Sequence, residues 1–324
     1  MPVHLADEPK IPDLASPLVI LVAANHTSTM REHLAVQPYT EEEHAAEIIP
    51  AIKAGASMWH LHIRNPKTGD RWEDNEMRVQ VHKKTCDLVF KECPDVITDP
   101  NIGGGAPIRV REGPFGPVAV PESLLAENRL AKYVEPLLKA GGGTAKYVQS
   151  GILNIIRGIG GTEESFKSEC KWLQDHGVKP ELGAYNVASL ADTKEWFIDT
   201  GIAEKPYFIV FPGIHTPSTP IVPTWKGVLD NISQYLALPP DSAWGIIAGG
   251  RNYMPIQAAF ICMGCDFVRV GMEDMVYKYP HRDDKIVSCE DEVKRTVQIC
   301  EALGRPVATP AQARRIIGIK YQPK

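Results

Sequence analysis

The chain has 324 residues, 44% of them hydrophobic and 23% charged, with a formal net charge of −5. That size allows a sizeable core, and the mixing of both charge signs leaves no basic stripe for nucleic acid or an anionic membrane. The longest apolar stretch near the start, residues 18–24, is too short to span a membrane and has no basic segment ahead of it, so the chain reads as a cytoplasmic protein.

Short apolar, β-branched runs alternate with longer stretches of helical spacing, the mark of βαβ units around a parallel sheet. The first run is 18–24; Thr40 and three glutamates then supply an N-cap and acids suited to a helix dipole, opening a helix over 40–54 that Gly55 closes. The second run, 57–63, precedes a helix over 75–90. The third, 95–101, leads into a Gly- and Pro-rich segment, 106–134, which is too long for an ordinary connection and reads as an insertion. The fourth, 145–151, precedes a helix over 162–176. Runs 178–185, 206–211, 242–248 and 266–271 bring the count to eight. Eight strand–helix pairs in this length predict one (β/α)8 TIM-barrel domain over 1–324, with an insertion after the third strand and an N-terminal extension at 1–16.

Seven cysteines, odd in number and scattered, read as reduced thiols rather than a disulfide framework. Cys262 and Cys265 form a C-x-x-C, but it lies in an apolar segment with no second pair to complete a zinc site, so core packing is the reading.

In the second run, SMWHLHIRNP, a strand period of two puts His60 and His62 on one face and Trp59, Leu61 and Ile63 on the other. The two β-carbons would stand about 7 Å apart, a span that one ion with nitrogen bonds of about 2.0–2.1 Å can bridge. A lone histidine would read as a barrel filler satisfied by neighbours; a pair near the C-terminal end of a barrel strand, where such folds place their chemistry, points to a metal. In the eighth run, DFVRVGMED, Arg269, Gly271 and Glu273 share the inward parity. Glu273 is thus a candidate third ligand, leaving open positions for a substrate, and Asp274 a candidate base. The alternative is that both acids cap the following helix. Arg269 either forms a structural ion pair or steadies an aspartate or a substrate anion.

Candidate substrate contacts follow the strand ends. Asn25 and His26 come after the first run, Asn101, Gly103 and Gly104 after the third, His215 after the sixth, and Arg251 after the Gly249–Gly250 pair of the seventh. His33, His44, His82, His176 and His281 fall in helical or loop contexts and read as surface residues.

The segments AGASMWHLHIRNPKTG, WGIIAGGR, VRVGMED and ALGRPVATPAQARRII, in this order over residues 18–317, resemble the β-keto acid cleavage enzymes. The resemblance implies a homotetrameric (β/α)8 barrel with Zn2+ on His60, His62 and Glu273, Asp274 as catalytic acid/base and Arg269 as its essential arginine. It also implies the reaction: a β-keto acid and acetyl-CoA give acetoacetate and a new acyl-CoA. The sequence departs from the family where Asn101-Ile102-Gly103-Gly104 replaces a turn that starts with a hydroxyl residue. It departs again at Thr29, which stands roughly where a glutamate would meet a substrate amino group. Both departures imply a β-keto acid other than the amino substrate. The rival readings are a metal-dependent aldolase-type carbon–carbon lyase that needs no CoA, and a non-catalytic barrel that senses a keto acid.

Overall fold

The computed structural model describes residues 12–25, 29–70, 74–102, 108–113, 116–121, 130–155, 162–211 and 242–323. Eight parallel strands form its sheet: β1 (Val19–Ala23), β2 (Met58–Leu61), β3 (Ile97–Pro100), β6 (Ser150–Ile155), β7 (Lys179–Ala184), β8 (Tyr207–Val210), β9 (Ala243–Ile247) and β10 (Phe267–Val270). Between the third and fourth of these, β4 (Ile108–Gly113) and β5 (Gly116–Pro121) pair as an antiparallel hairpin inside the expected insertion. The strand order is β3-β2-β1-β10-β9-β8-β7-β6, and the Gln149 N–H donates to the Thr98 carbonyl at 3.1 Å, which ties the two ends together. This is the (β/α)8 barrel that the alternating pattern predicts.

The helices are α1 (Glu41–Lys53), α2 (Asn75–Glu92), α3 (Ala131–Ala140), α4 (Glu163–Asp175), α5 (Val187–Thr193), α6 (Tyr253–Cys262), α7 (Cys289–Leu303) and α8 (Pro310–Ile317). Helix α1 begins where the sequence places its cap: the Thr40 hydroxyl accepts the Glu43 N–H at 3.2 Å and the Glu43 carboxylate accepts the Thr40 N–H at 3.0 Å. Among the described residues no helix is long and apolar enough to cross a membrane.

Strand parity divides the core into two layers. Ile20, Val22, Trp59, Leu61, Val268 and Val270 pack outward against the helices, while Val19, Leu21, Met58, Ile97, Tyr207, Ile209, Ile247 and Phe267 fill the barrel. Phe267 fits because its neighbour in the ladder is Gly245, where a Cβ would come within 2.3 Å of the phenyl ring.

Two expectations need correction. The fourth barrel strand runs over Ser150–Ile155, five residues later than the run at 145–151, and Ala145–Tyr147 is a 3-10 turn. That turn is drawn off the sheet by α2: the Tyr147 hydroxyl donates to Asp87 at 2.7 Å, and the Tyr147 carbonyl lies 2.8 Å from His82 Nε2. His44 and His82 are fully buried rather than on the surface. Burial pushes both down to about 4, so each imidazole is neutral and serves as a core hydrogen-bonding group.

Candidate metal centre

The ladder between β2 and β3 sets His60 opposite Asp99, and the His60 Nδ1 stands 3.0 Å from Asp99 Oδ2. That contact puts the ring hydrogen on Nδ1 and leaves Nε2 free to face the barrel mouth. There His60 Nε2 lies 3.4 Å from Glu273 Oε2, and His62 Nε2 lies 3.2 Å from Glu273 Oε1. Among the described residues these three form the one group able to hold a metal ion, with ligand atoms within 4.8 Å of one another.

Glu273 reaches this point because Gly271 ends β10 at φ +124°, turning the chain over Ala23, whose carbonyl then accepts the Glu273 N–H at 3.3 Å. Arg269, one turn of the ladder below, pins both acids. Its Nη2 is 2.8 Å from Glu273 Oε1, and its Nε and Nη2 donate to Asp274 Oδ2 and Oδ1 at 2.7 and 2.5 Å. The guanidinium therefore forms a two-pronged ion pair with Asp274, the candidate base, and also contacts Glu273.

Electrostatics fit a cation. Burial opposes a charged Glu273, yet Arg269, His62 and His60 outweigh it and hold the carboxyl well below the usual range. Burial likewise opposes a charged His60, but Glu273 and the hydrogen bond to Asp99 raise it above its ordinary value. Imidazoles must be neutral to ligate an ion, so a cation held here would take over the positive charge that His60 and His62 otherwise offer to Glu273. Glu273 Oε2 is buried and, 3.4 Å from His60 Nε2, accepts no hydrogen bond among the described residues, which suits a ligand oxygen.

Asn101 lies against the same centre, its Nδ2 2.9 Å from His62 Nδ1 and 3.2 Å from Nε2. Its main-chain carbonyl is held at 3.0 Å by Arg78 from α2. Asn25 is present at the centre but faces its backbone: both polar ends of its amide bond the main chain of His62. Arg251 stands apart from the ligands, stacked 3.6 Å over the Tyr277 ring and bonded to Asp283 Oδ1 at 2.5 Å and the Arg282 carbonyl at 2.7 Å. His26, Gly103, Gly104 and His215 lie outside the described residues. Cys262 is exposed and Cys265 buried, and neither joins a metal group.

Two acids escaped the sequence reading. Asp99 has the same parity as Asn101 and could have been found by asking what the strand beside His60 and His62 presents inward. Glu181 is a lone acid inside an apolar run on β7, 1% exposed. Burial first, and then Asp99, push its carboxyl well above the usual range.

Comparison with known proteins gives consistent matches. The family model described as beta-keto acid cleavage enzyme matches residues 17–319. A 3-keto-5-aminohexanoate cleavage enzyme of Fusobacterium nucleatum is 29% identical over 307 residues, covering 94% of this chain and 98% of that protein. A 3-dehydrocarnitine:acetyl-CoA trimethylamine transferase of Rhizobium meliloti is 25% identical over 303 residues, covering 91% of this chain and 93% of that protein. Among solved structures, the binary complex of ObcA with oxaloacetate has the same fold, with a TM-score of 0.64, 15% identity, and coverage of 88% of this chain and 67% of that one.

Proposed function

This chain belongs to the β-keto acid cleavage enzyme family, and from that premise we propose that it condenses a β-keto acid with acetyl-CoA and releases acetoacetate and a new acyl-CoA. The observation that carries the reading is the ligand set His60, His62 and Glu273 standing beside the Arg269–Asp274 ion pair at the barrel mouth. Relatives named as acetyl-CoA-dependent transferases support the co-substrate.

His60, His62 and Glu273 would hold a divalent ion, Zn2+ in this proposal, which would supply the Lewis acidity that makes the carbon between the keto and carboxylate groups of a β-keto acid easier to deprotonate. Asp99 holds His60 in the tautomer that presents Nε2. Asp274, aimed by Arg269, takes the proton from that carbon. The carbanion attacks the thioester carbonyl of acetyl-CoA and expels CoA thiolate. The thiolate then attacks the original keto carbon, the carbon–carbon bond breaks, and the acetoacetate carbanion recovers the proton from Asp274. Arg269 stays charged throughout: burial opposes its charge, but Asp274 and Glu273 outweigh it.

The reading extends to a homotetramer in the cytoplasm, a setting that suits seven free thiols. Asn101 and Thr29 favour a substrate without an amino group. A panel of β-keto acids with acetyl-CoA, scored for acetoacetate, tests the proposal on metal-replete and chelator-stripped protein. Turnover that needs both acetyl-CoA and metal supports it, and full activity of stripped protein contradicts it. Sedimentation analysis tests the tetramer.

A further inference from the structure

The loop from β1 to α1 offers no atom to the metal group among its described residues, yet it holds the main chain at two of the three ligands. Asn25, fully buried, takes the His62 N–H on Oδ1 at 2.8 Å and gives Nδ2 to the His62 carbonyl at 2.9 Å. Strand β2 ends at Leu61, so His62 has already left the regular strand. The Asn25 side chain supplies what a neighbouring strand's peptide would have supplied, one donor and one acceptor at once.

The amide is itself anchored. Nδ2 lies 3.0 Å from His44 Nε2 and 3.3 Å from the Pro38 carbonyl. His44 is in the first turn of α1, whose start the Thr40–Glu43 capping box fixes. One residue before Pro38, Gln37 is 1% exposed and donates Nε2 to the Met272 carbonyl at 3.0 Å. Met272 is the residue before Glu273. One loop therefore grips two ligand-bearing segments that stand 211 positions apart in the chain.

We infer that Asn25 and Gln37 are positioning residues of the metal centre, together fixing the gap between His62 Nε2 and Glu273 Oε1 that the ion must bridge. Both amides are engaged within the protein: that of Asn25 bonds the His62 main chain and lies against His44, and that of Gln37 donates to the Met272 carbonyl. The inference rests on the metal reading proposed above.

Loading with Co2+ tests it, since affinity by chelator competition and the visible ligand-field bands both report the centre without any turnover. Asn25→Ala and Gln37→Ala are each expected to lower affinity about 10–100-fold, the usual effect of losing an outer partner of a ligand, and to shift the bands. Thr85→Val is the control, because it removes a buried 3.0 Å hydroxyl bond to the Val81 carbonyl within α2, away from the loop; it should keep wild-type affinity and bands. Folded Asn25→Ala or Gln37→Ala protein with wild-type affinity and bands overturns the inference. Gln37→Ala, which leaves the His62 clamp in place, decides the matter if Asn25→Ala does not fold. Wild-type protein that takes up no Co2+ contradicts the metal reading itself, and that result is seen before any variant is made.

Discussion

The α-carbon of Gly271 rests on the carbonyl of Ala23 so closely that a Cβ there would come within 2.3 Å of the oxygen. The same residue holds φ +124°, a conformation that side chains rarely adopt. Contact between β10 and β1 thereby places Glu273 at the mouth of the barrel. Gly271→Ala is expected to cost about 2–4 kcal/mol of stability, from backbone strain plus the displaced carbonyl. Urea denaturation measures the loss, and metal analysis of the folded fraction should show depleted metal. Wild-type values for both would refute this account of how Glu273 is placed.

Asp99→Asn tests the support of His60. The amide keeps the size but removes the charge that faces Nδ1 at 3.0 Å. Metal affinity should fall about 10–100-fold with the fold intact. An unchanged affinity would show that Asp99 serves the barrel interior and not the centre.

Asp274→Asn separates chemistry from binding. Turnover should be lost while metal content stays at the wild-type level, because Asp274 bonds Arg269 and is absent from the ligand group. Arg269→Ala is the harsher change, since it removes the guanidinium that faces both Glu273 and Asp274, and it should cost about 3–5 kcal/mol. If Asp274→Asn turned over normally, another group would have to be the base.

Acid should weaken the fold before ordinary carboxylates titrate. His44 and His82 fall from 6.5 to about 4 on burial, so below pH 6.5 the unfolded chain binds protons that the folded chain refuses. Their contribution is therefore complete above pH 6.5 and is lost as pH falls toward 4, up to about 3 kcal/mol for each. Urea midpoints measured from pH 7.5 down to 5 should decline, and His82→Gln should flatten the decline. Equal slopes in the two proteins would rule out His82 as a source.

The barrel is legible because each strand is a short apolar run, and parity carries His60 and Arg269 to its interior; His62 lies one residue past β2 and Glu273 lies past the turn at Gly271, so their places also depend on contacts with Asn25 and Ala23. Periodicity failed at the fourth strand. The run at 145–151 has strand-like residues, but Tyr147 is claimed by Asp87 and His82 of α2, a tertiary contact that no local pattern reports. The same limit explains His44 and His82, which helical context assigns to the surface although long-range packing buries them. Asn25 was singled out as a substrate contact by its place after a strand. Its bonds to His62 span 37 positions, so the clamp emerges only once β1 and β2 lie side by side.

The most direct test of the central claim follows an isotopic label from acetyl-CoA. With a turned-over β-keto acid and acetyl-CoA labelled in its acetyl group, the account predicts label in the keto end of acetoacetate and an unlabelled new acyl-CoA. Cleavage that proceeds without acetyl-CoA, or acetoacetate free of label, would contradict it.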